Sequence, residues 1–381
     1  MLSGLVCAWS AAPAHAAGTP SSWESSALSL PTAHQLSQGE GVTVAVLDTG
    51  VAADHPAVRG RVITGPDFRE DGMEPASPDW GDHGTAMASD VLKVAPKAKI
   101  LSVRVNSDKD EGDGYEDLQR GVSPVAKGIQ YAVDHGADVI LLSLGTGEVG
   151  EFKNEDEVAA IGYAVSHGVP LLAGAGNSGD ELNQPSAPAG YANVIAVAAT
   201  KQGGGRADFS TVHEYNEVAA PGVDITSAKN TGGFWSVDGT SPATALASGV
   251  VALMLSHNHE LTPAQVRAIL TSTARHPDGG PNALLGFGQI NAAAAVKAAG
   301  SPPVDKTLPV KHKGKQHFAA PAGTPKTTHP DLEQGPWMLG LGVAGVGLFM
   351  TIGGLLLALL GRRKSDAGAA MTPPSPGPFP I

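Results

Sequence analysis

The 381 residues, 42% hydrophobic and 16% charged, have the profile of a chain with one large folded domain and appendages, which excludes intrinsic disorder over most of the length. A formal net charge of -12 offers no basic field for phosphate, so nucleic acid is not an expected partner. The single cysteine, Cys7, lies so near the N-terminus that a later folded domain has no disulfide, no cysteine-held zinc and no thiol nucleophile, which excludes a cysteine protease.

At the N-terminus, residues 2–12 form a short apolar run followed by Ala14-His15-Ala16, the small-x-small pattern read by a signal peptidase. Residues 1–17 are therefore expected to be a signal peptide, though one without a basic n-region, and residues 18–28 a short extension. From 29 to 300, apolar strand-like runs alternate with helix-like stretches. Residues 43–47, 100–105, 139–142, 169–173 and 194–198 read as buried strands, and 122–135, 155–167 and 261–274 as helices. Strands apolar on both faces and separated by helices imply a parallel sheet in a three-layer α/β domain.

Residues 301–336 are rich in Pro, Lys and Thr without apolar periodicity and read as a linker. Residues 337–360 carry no charge, and at about 1.5 Å per residue they exceed the roughly 30 Å hydrocarbon core, so a transmembrane helix is expected there. Arg362-Arg363-Lys364 follow at once, whereas the nearest preceding basic residue is Lys326. The positive-inside rule then makes 361–381 a cytoplasmic tail and puts the large domain outside the cell membrane.

Chemistry in open parallel sheets gathers at the carboxyl ends of the strands. The first strand ends in Asp48-Thr49-Gly50, a tripeptide that aspartic proteases also carry, but no second copy exists to form a carboxylate dyad. Asp82-His83-Gly84-Thr85 follows, where small residues allow a helix to begin directly after the histidine. Asp238-Gly239-Thr240-Ser241-Pro242 then opens an apolar helix, with Pro242 suited to its first turn. There the Ser241 hydroxyl and backbone N–H are both placed to face a ligand, although a plain N-cap would account for a lone serine equally well.

Together, in the order Asp, His, Ser, these motifs resemble the subtilisin-like (S8 family) serine proteases over about residues 30–298. The resemblance extends to Val94-Ala95-Pro96-Lys97-Ala98-Lys99-Ile100-Leu101, Leu142-Ser143-Leu144-Gly145, Gly174-Ala175-Gly176-Asn177 and Ala220-Pro221-Gly222-Val223. It implies a subtilisin-like three-layer fold with a mostly parallel central sheet and a serine endopeptidase activity on polypeptide. Its catalytic triad would be Asp48, His83 and Ser241, and its oxyanion hole the Asn177 side chain with the Ser241 N–H. The substrate backbone would pair with Ser143, Leu144 and Gly145, beside a wall that includes Gly174, Ala175 and Gly176.

Several departures from the family pattern are visible. Ala86 replaces a histidine that many relatives carry, and Ala245 stands where relatives often have proline. The path from His83 to Pro96 is shorter than usual and lacks the loop that builds a calcium site in secreted relatives, so no metal is expected there and no cofactor is implied. A short N-terminal extension with a C-terminal anchor resembles the mycosins, the membrane-anchored proteases associated with type VII secretion. That makes a type VII secretion complex an expected partner. Two alternatives remain at this point: a catalytically impaired scaffold of a membrane complex, and a broad degradative protease tethered at the surface.

Overall fold

The computed structural model describes residues 22–75, 77–108, 122–145, 154–305, 342–343 and 345–357. Residues up to 328 form one compact unit and His329–Ile381 another.

The larger unit is built on a sheet of seven parallel strands: β1 (Thr43–Asp48), β2 (Val62–Asp67), β3 (Lys99–Arg104), β4 (Val139–Leu142), β5 (Leu171–Gly174), β6 (Val194–Thr200) and β7 (Asn216–Pro221). They lie side by side in the order β2-β3-β1-β4-β5-β6-β7. Because successive side chains leave a strand on opposite faces, each central strand feeds two cores. Val44 and Val46 of β1 and Val139 and Leu141 of β4 enter one core, while Ala45, Leu47, Ile140 and Leu142 enter the other. This double burial is why the strands read as continuous apolar runs rather than alternating ones.

The second core is covered by α4 (Pro124–Asp134) and α5 (Glu155–Ser166), the first by α3 (Asp82–Val94), α6 (Thr240–His257), α7 (Pro263–Thr273) and α8 (Ala292–Ala299). Helix α6 is apolar on every side and buried from Pro242 to Leu255, as a helix threaded through a core must be. Helix α7 opens with a capping box, Thr262 and Gln265 each accepting from the other's backbone N–H. The antiparallel hairpin of β8 (Ile225–Ala228) and β9 (Phe234–Val237) leads straight into α6.

The five expected strands and three expected helices are all present, with ends shifted by a residue or two. Four strands were not expected. The edge strand β2 contains Gly65 and Pro66, β7 has the polar Asn216 and Glu217 at its start and Pro221 at its end, and β8 and β9 are four residues each, β9 with exposed Phe234 and Trp235, so none reads in the sequence as a continuous apolar run.

Residues 22–28 pack onto the rest of the larger unit. In α1 (Trp23–Ala27), the Trp23 indole donates to the Val223 carbonyl at 3.1 Å, and the buried Glu24 pairs with Lys93 at 3.1 Å. Lys93 also lies 3.3 Å from the buried Asp90, whose other oxygen accepts from the Ser227 hydroxyl at 2.7 Å. Leu28, with Leu30 and Ala33 of α2 (Leu30–Ala33), enters the core beside Ala292, Val296 and Ala299. Past α8, Asp305 accepts from Thr262 and Pro303 accepts from Gln265, so the beginning of the expected linker still touches α7.

In the second unit, residues 342–343 and 345–357 are helical and carry exposed apolar side chains such as Phe349 and Leu357. Among the described residues, no helix is long and apolar enough to cross a membrane. The rest of the expected transmembrane segment, the expected signal peptide and the expected cytoplasmic tail lie outside the described residues.

Candidate active site

Asp48 is the last residue of β1, the strand whose neighbours β3 and β4 lead off in opposite directions, which is where a parallel sheet leaves a crevice. It is 1% exposed, and a carboxylate so buried needs donors. Its Oδ1 accepts from the Thr49 N–H at 2.7 Å and from His83 Nδ1 at 2.8 Å, and its Oδ2 lies 3.0 Å from the same nitrogen.

With Nδ1–H committed to Asp48, the neutral ring of His83 keeps its lone pair on Nε2. A third of the side chain (33%) remains exposed, on the cleft side. Desolvation opposes protonation of this ring. The charge of Asp48 and its hydrogen bond, supplemented by Asp108 and Asp90, outweigh that penalty and raise His83 to about 9. His83 lies inside α3 as its second residue, so the helix begins just before the histidine rather than after it.

Ser241 is the second residue of α6, and Pro242 follows without disturbing its N–H. Its hydroxyl donates to the Ser143 carbonyl at 3.4 Å, and the Ser143 hydroxyl donates back to the Ser241 carbonyl at 3.2 Å. In this arrangement the nucleophile candidate rests on a main-chain carbonyl, and it must leave that oxygen to reach Nε2. Catalytic hydrogen bonds are commonly long or misaligned until substrate is bound.

Asn177 is oriented by Thr240. Its Oδ1 accepts from the Thr240 N–H at 2.9 Å and from the Thr240 hydroxyl at 3.0 Å. A backbone N–H can only donate, so the amide oxygen is identified by its partner and Nδ2 is the atom left for the cleft. Gly174 and Gly176 make this close approach possible. A Cβ on Gly174 would lie 2.8 Å from Thr240 Oγ1, and Gly176 has φ +108° with Thr211 Oγ1 2.7 Å from its Cβ position.

These groups line one cleft of about 430 Å³. Of the residues singled out from the sequence, His83, Ser143, Leu144, Gly145, Gly174, Gly176, Asn177 and Ser241 face it, with Asp48 directly behind His83. Ala175 does not. It is fully buried against Ala198 and Ala219, because side chains alternate along the extended segment after β5 and the residue between Gly174 and Gly176 points inward.

The cleft also holds residues not singled out: Thr49 and Thr240, which neighbour the motifs and could have been read from them, Gln184 and Ser186 of a distant loop, and Asp108. Asp108 is the one carboxylate among the described residues lining the cleft. In the sequence it begins an acidic run that looks like solvated surface. Among the described residues, no three His, Cys, Asp or Glu side chains converge as a metal site.

Chemically, a buried carboxylate, an imidazole with a free Nε2, a helix-borne hydroxyl and an oriented amide donor around one crevice are suited to acyl transfer. Known proteins agree. A profile of the subtilase family (peptidase S8) matches residues 39–288. Thermitase of Thermoactinomyces vulgaris is 37% identical over 70% of this chain and 92% of its own length. Subtilisin Savinase of Lederbergia lenta is 35% identical over 72% of this chain and 98% of its own. Among solved structures, the MycP3 protease from the type VII (ESX-3) secretion system superposes with a TM-score of 0.62 at 30% identity, over 72% of this chain and 88% of that one. The fold, the crevice and these likenesses agree on one conclusion: the chain belongs to the subtilase family of serine endopeptidases.

Proposed function

We propose that this endopeptidase cleaves polypeptide through an acyl-enzyme formed on Ser241, as a surface-anchored processing protease beside a type VII secretion complex. The observation that carries the chemistry is the 2.8 Å bond from His83 Nδ1 to the buried Asp48, made in the same cleft as Ser241 and Asn177. His83 Nε2 takes the Ser241 proton as Oγ attacks the substrate carbonyl, and Asp48 stabilises the imidazolium that forms. The oxyanion is met by Asn177 Nδ2 and the Ser241 N–H. His83 then protonates the leaving amine, and water repeats the sequence in reverse to release the acid.

The substrate would enter extended along Ser143–Gly145, its main chain pairing with theirs. The biological setting is supported by the likeness to MycP3 and by the uncharged stretch 337–360 ahead of Arg362. A serine-directed fluorophosphonate probe tests the chemistry. Labelling is expected in the native chain and lost in Ser241→Ala and His83→Ala variants that remain folded. Labelling that survives His83→Ala removes the triad. The Ser241 bond to Ser143 is the feature that favours an impaired scaffold instead, and a folded native chain that fails to label establishes that reading. For the setting, external protease on intact cells is expected to remove the 29–300 domain, and its protection until lysis reverses the orientation.

A further inference from the structure

The first turn of α3 presents the backbone N–H groups of Asp82, His83 and Gly84, which have no partner within the helix. The residue before it, Gly81, has φ 69° and no side chain, so no local cap exists. All three are nevertheless satisfied. Thr85 N–H makes the first bond of the helix itself, to the Gly81 carbonyl at 3.0 Å, and Gly84 N–H donates to the Thr49 hydroxyl at 3.1 Å. The other two belong to Asp82 and His83, and both go to Asp108, at 2.9 Å to Oδ2 and 3.1 Å to Oδ1. Asp108 arrives from a different element, four residues past the end of β3.

We infer that Asp108 is a positioning residue for His83, a carboxylate cap supplied by the segment after β3 that fixes the start of the histidine helix and offsets the positive end of its dipole where imidazolium must form. The helix start is otherwise an unfavourable place for a base. Its N–H groups carry the equivalent of about half a positive charge, which opposes protonation of an imidazole at the second position. A carboxylate bridging those N–H groups cancels that field and pins the backbone from which the ring projects. The groups acting on the ring are then Asp48 from β1, Asp108 from the segment after β3 and, more weakly, Asp90 from α3 itself. The inference rests on His83 acting as the base.

The test is the pH dependence of kcat and kcat/KM on a peptide substrate for the full chain, its Asp108→Asn and Asp108→Ala variants and Ser241→Ala, with thermal melts. Asparagine keeps one acceptor and loses the charge. On the alkaline plateau it is expected to lower kcat by about three- to tenfold with KM within about twofold. It is also expected to move the acid limb down by about half a unit to one unit. Alanine loses both acceptors and is expected to cost more in kcat than asparagine. If Asp108→Asn has an unmoved acid limb, the inference is overturned, whether kcat is native or the melt alone has dropped. That outcome is distinct from failure of the triad reading, in which Ser241→Ala retains the activity of the native chain.

Discussion

Substitution of Asn177 by alanine separates an amide that stabilises charge from one that merely shapes a turn. Its Oδ1 is held by two donors of Thr240, which aims Nδ2 into the cleft and makes it a donor fixed in advance of the reaction. Alanine removes that donor and leaves the second one, the Ser241 N–H. The expected loss is therefore that of one oxyanion donor, about 10²–10³ in kcat or roughly 2.7–4 kcal/mol. KM should stay within about twofold, because the missing bond strengthens only as the carbonyl becomes tetrahedral. The Thr240 hydroxyl still accepts from the Gly176 N–H at 3.3 Å, but both Thr240 donors, its N–H and its O–H, lose the Asn177 acceptor and must turn to water. The fold should therefore lose about 1–3 kcal/mol. Thr240→Val calibrates the argument, since it deletes one of the two bonds that aim the amide and spares the other, for an expected fall of about fivefold. Steady-state kinetics with melts of both variants are sufficient. A folded Asn177→Ala enzyme with native kcat refutes the reasoning, as does a folded Thr240→Val enzyme as impaired as Asn177→Ala.

The rise of His83 to about 9 means that the ring is charged at neutral pH and must lose that proton to act as a base, so kcat/KM is expected to climb through the neutral range. An acid limb at or below 6.5 in a pH–rate series contradicts this. Desolvation, only partly offset by Lys93 and Ser227, raises Asp90 to about 6, so the native state holds a proton that the unfolded chain has released above its usual 3.8. Stability should therefore fall as pH rises from about 4 to 6. Asp90→Asn should remove that dependence, gaining about 1–3 kcal/mol at pH 7 relative to pH 4, and parallel pH-dependent melts of the two proteins would show the idea to be mistaken. Arg104, 1% exposed, pairs with Asp67 and Asp71 at 2.7 Å each and lies 5.1 Å over the Trp80 ring. Arg104→Ala should cost about 3 kcal/mol in urea unfolding, and a loss under about 1 kcal/mol would mean that the network is slack.

The parts of this molecule that could be read from its sequence are those where one requirement dominates. Strands β1 and β4 are apolar throughout because both faces are buried, and Asp48, His83 and Ser241 sit in short contexts where glycine and small residues must let backbone approach backbone. What could not be read arises from contacts between distant segments. Asp108 becomes a helix cap only when β3 and α3 are brought together, and its acidic surroundings look like solvent-facing chain. Ala175 shares a four-residue motif with Gly174, Gly176 and Asn177, yet the alternation of an extended segment turns its methyl inward. Trp23 and Glu24 looked like part of a short extension because the residues that receive them, Val223 and Lys93, are remote in the chain.

The docking of that N-terminal segment ties residues 27 and 28 to residues 289 and 292. Ala292 N–H donates to the Leu28 carbonyl at 3.0 Å, and the Gln289 side chain donates to the Ala27 carbonyl at 3.1 Å. Leu28, Leu30 and Ala33 therefore gain the apolar partners they have in α8 only once residues more than 250 positions later have been made. A chain emerging N-terminus first can pair β1, β3 and β4 early, but this seam closes only when nearly the whole domain has left the ribosome. Loops of that length are slow to close, so completion of the core is the late event. Until then Leu28 and Leu30 on one side and Val296 on the other remain in water, where a protease or a chaperone can find them. Trimming either end of the domain should thus produce the same defect at the same seam.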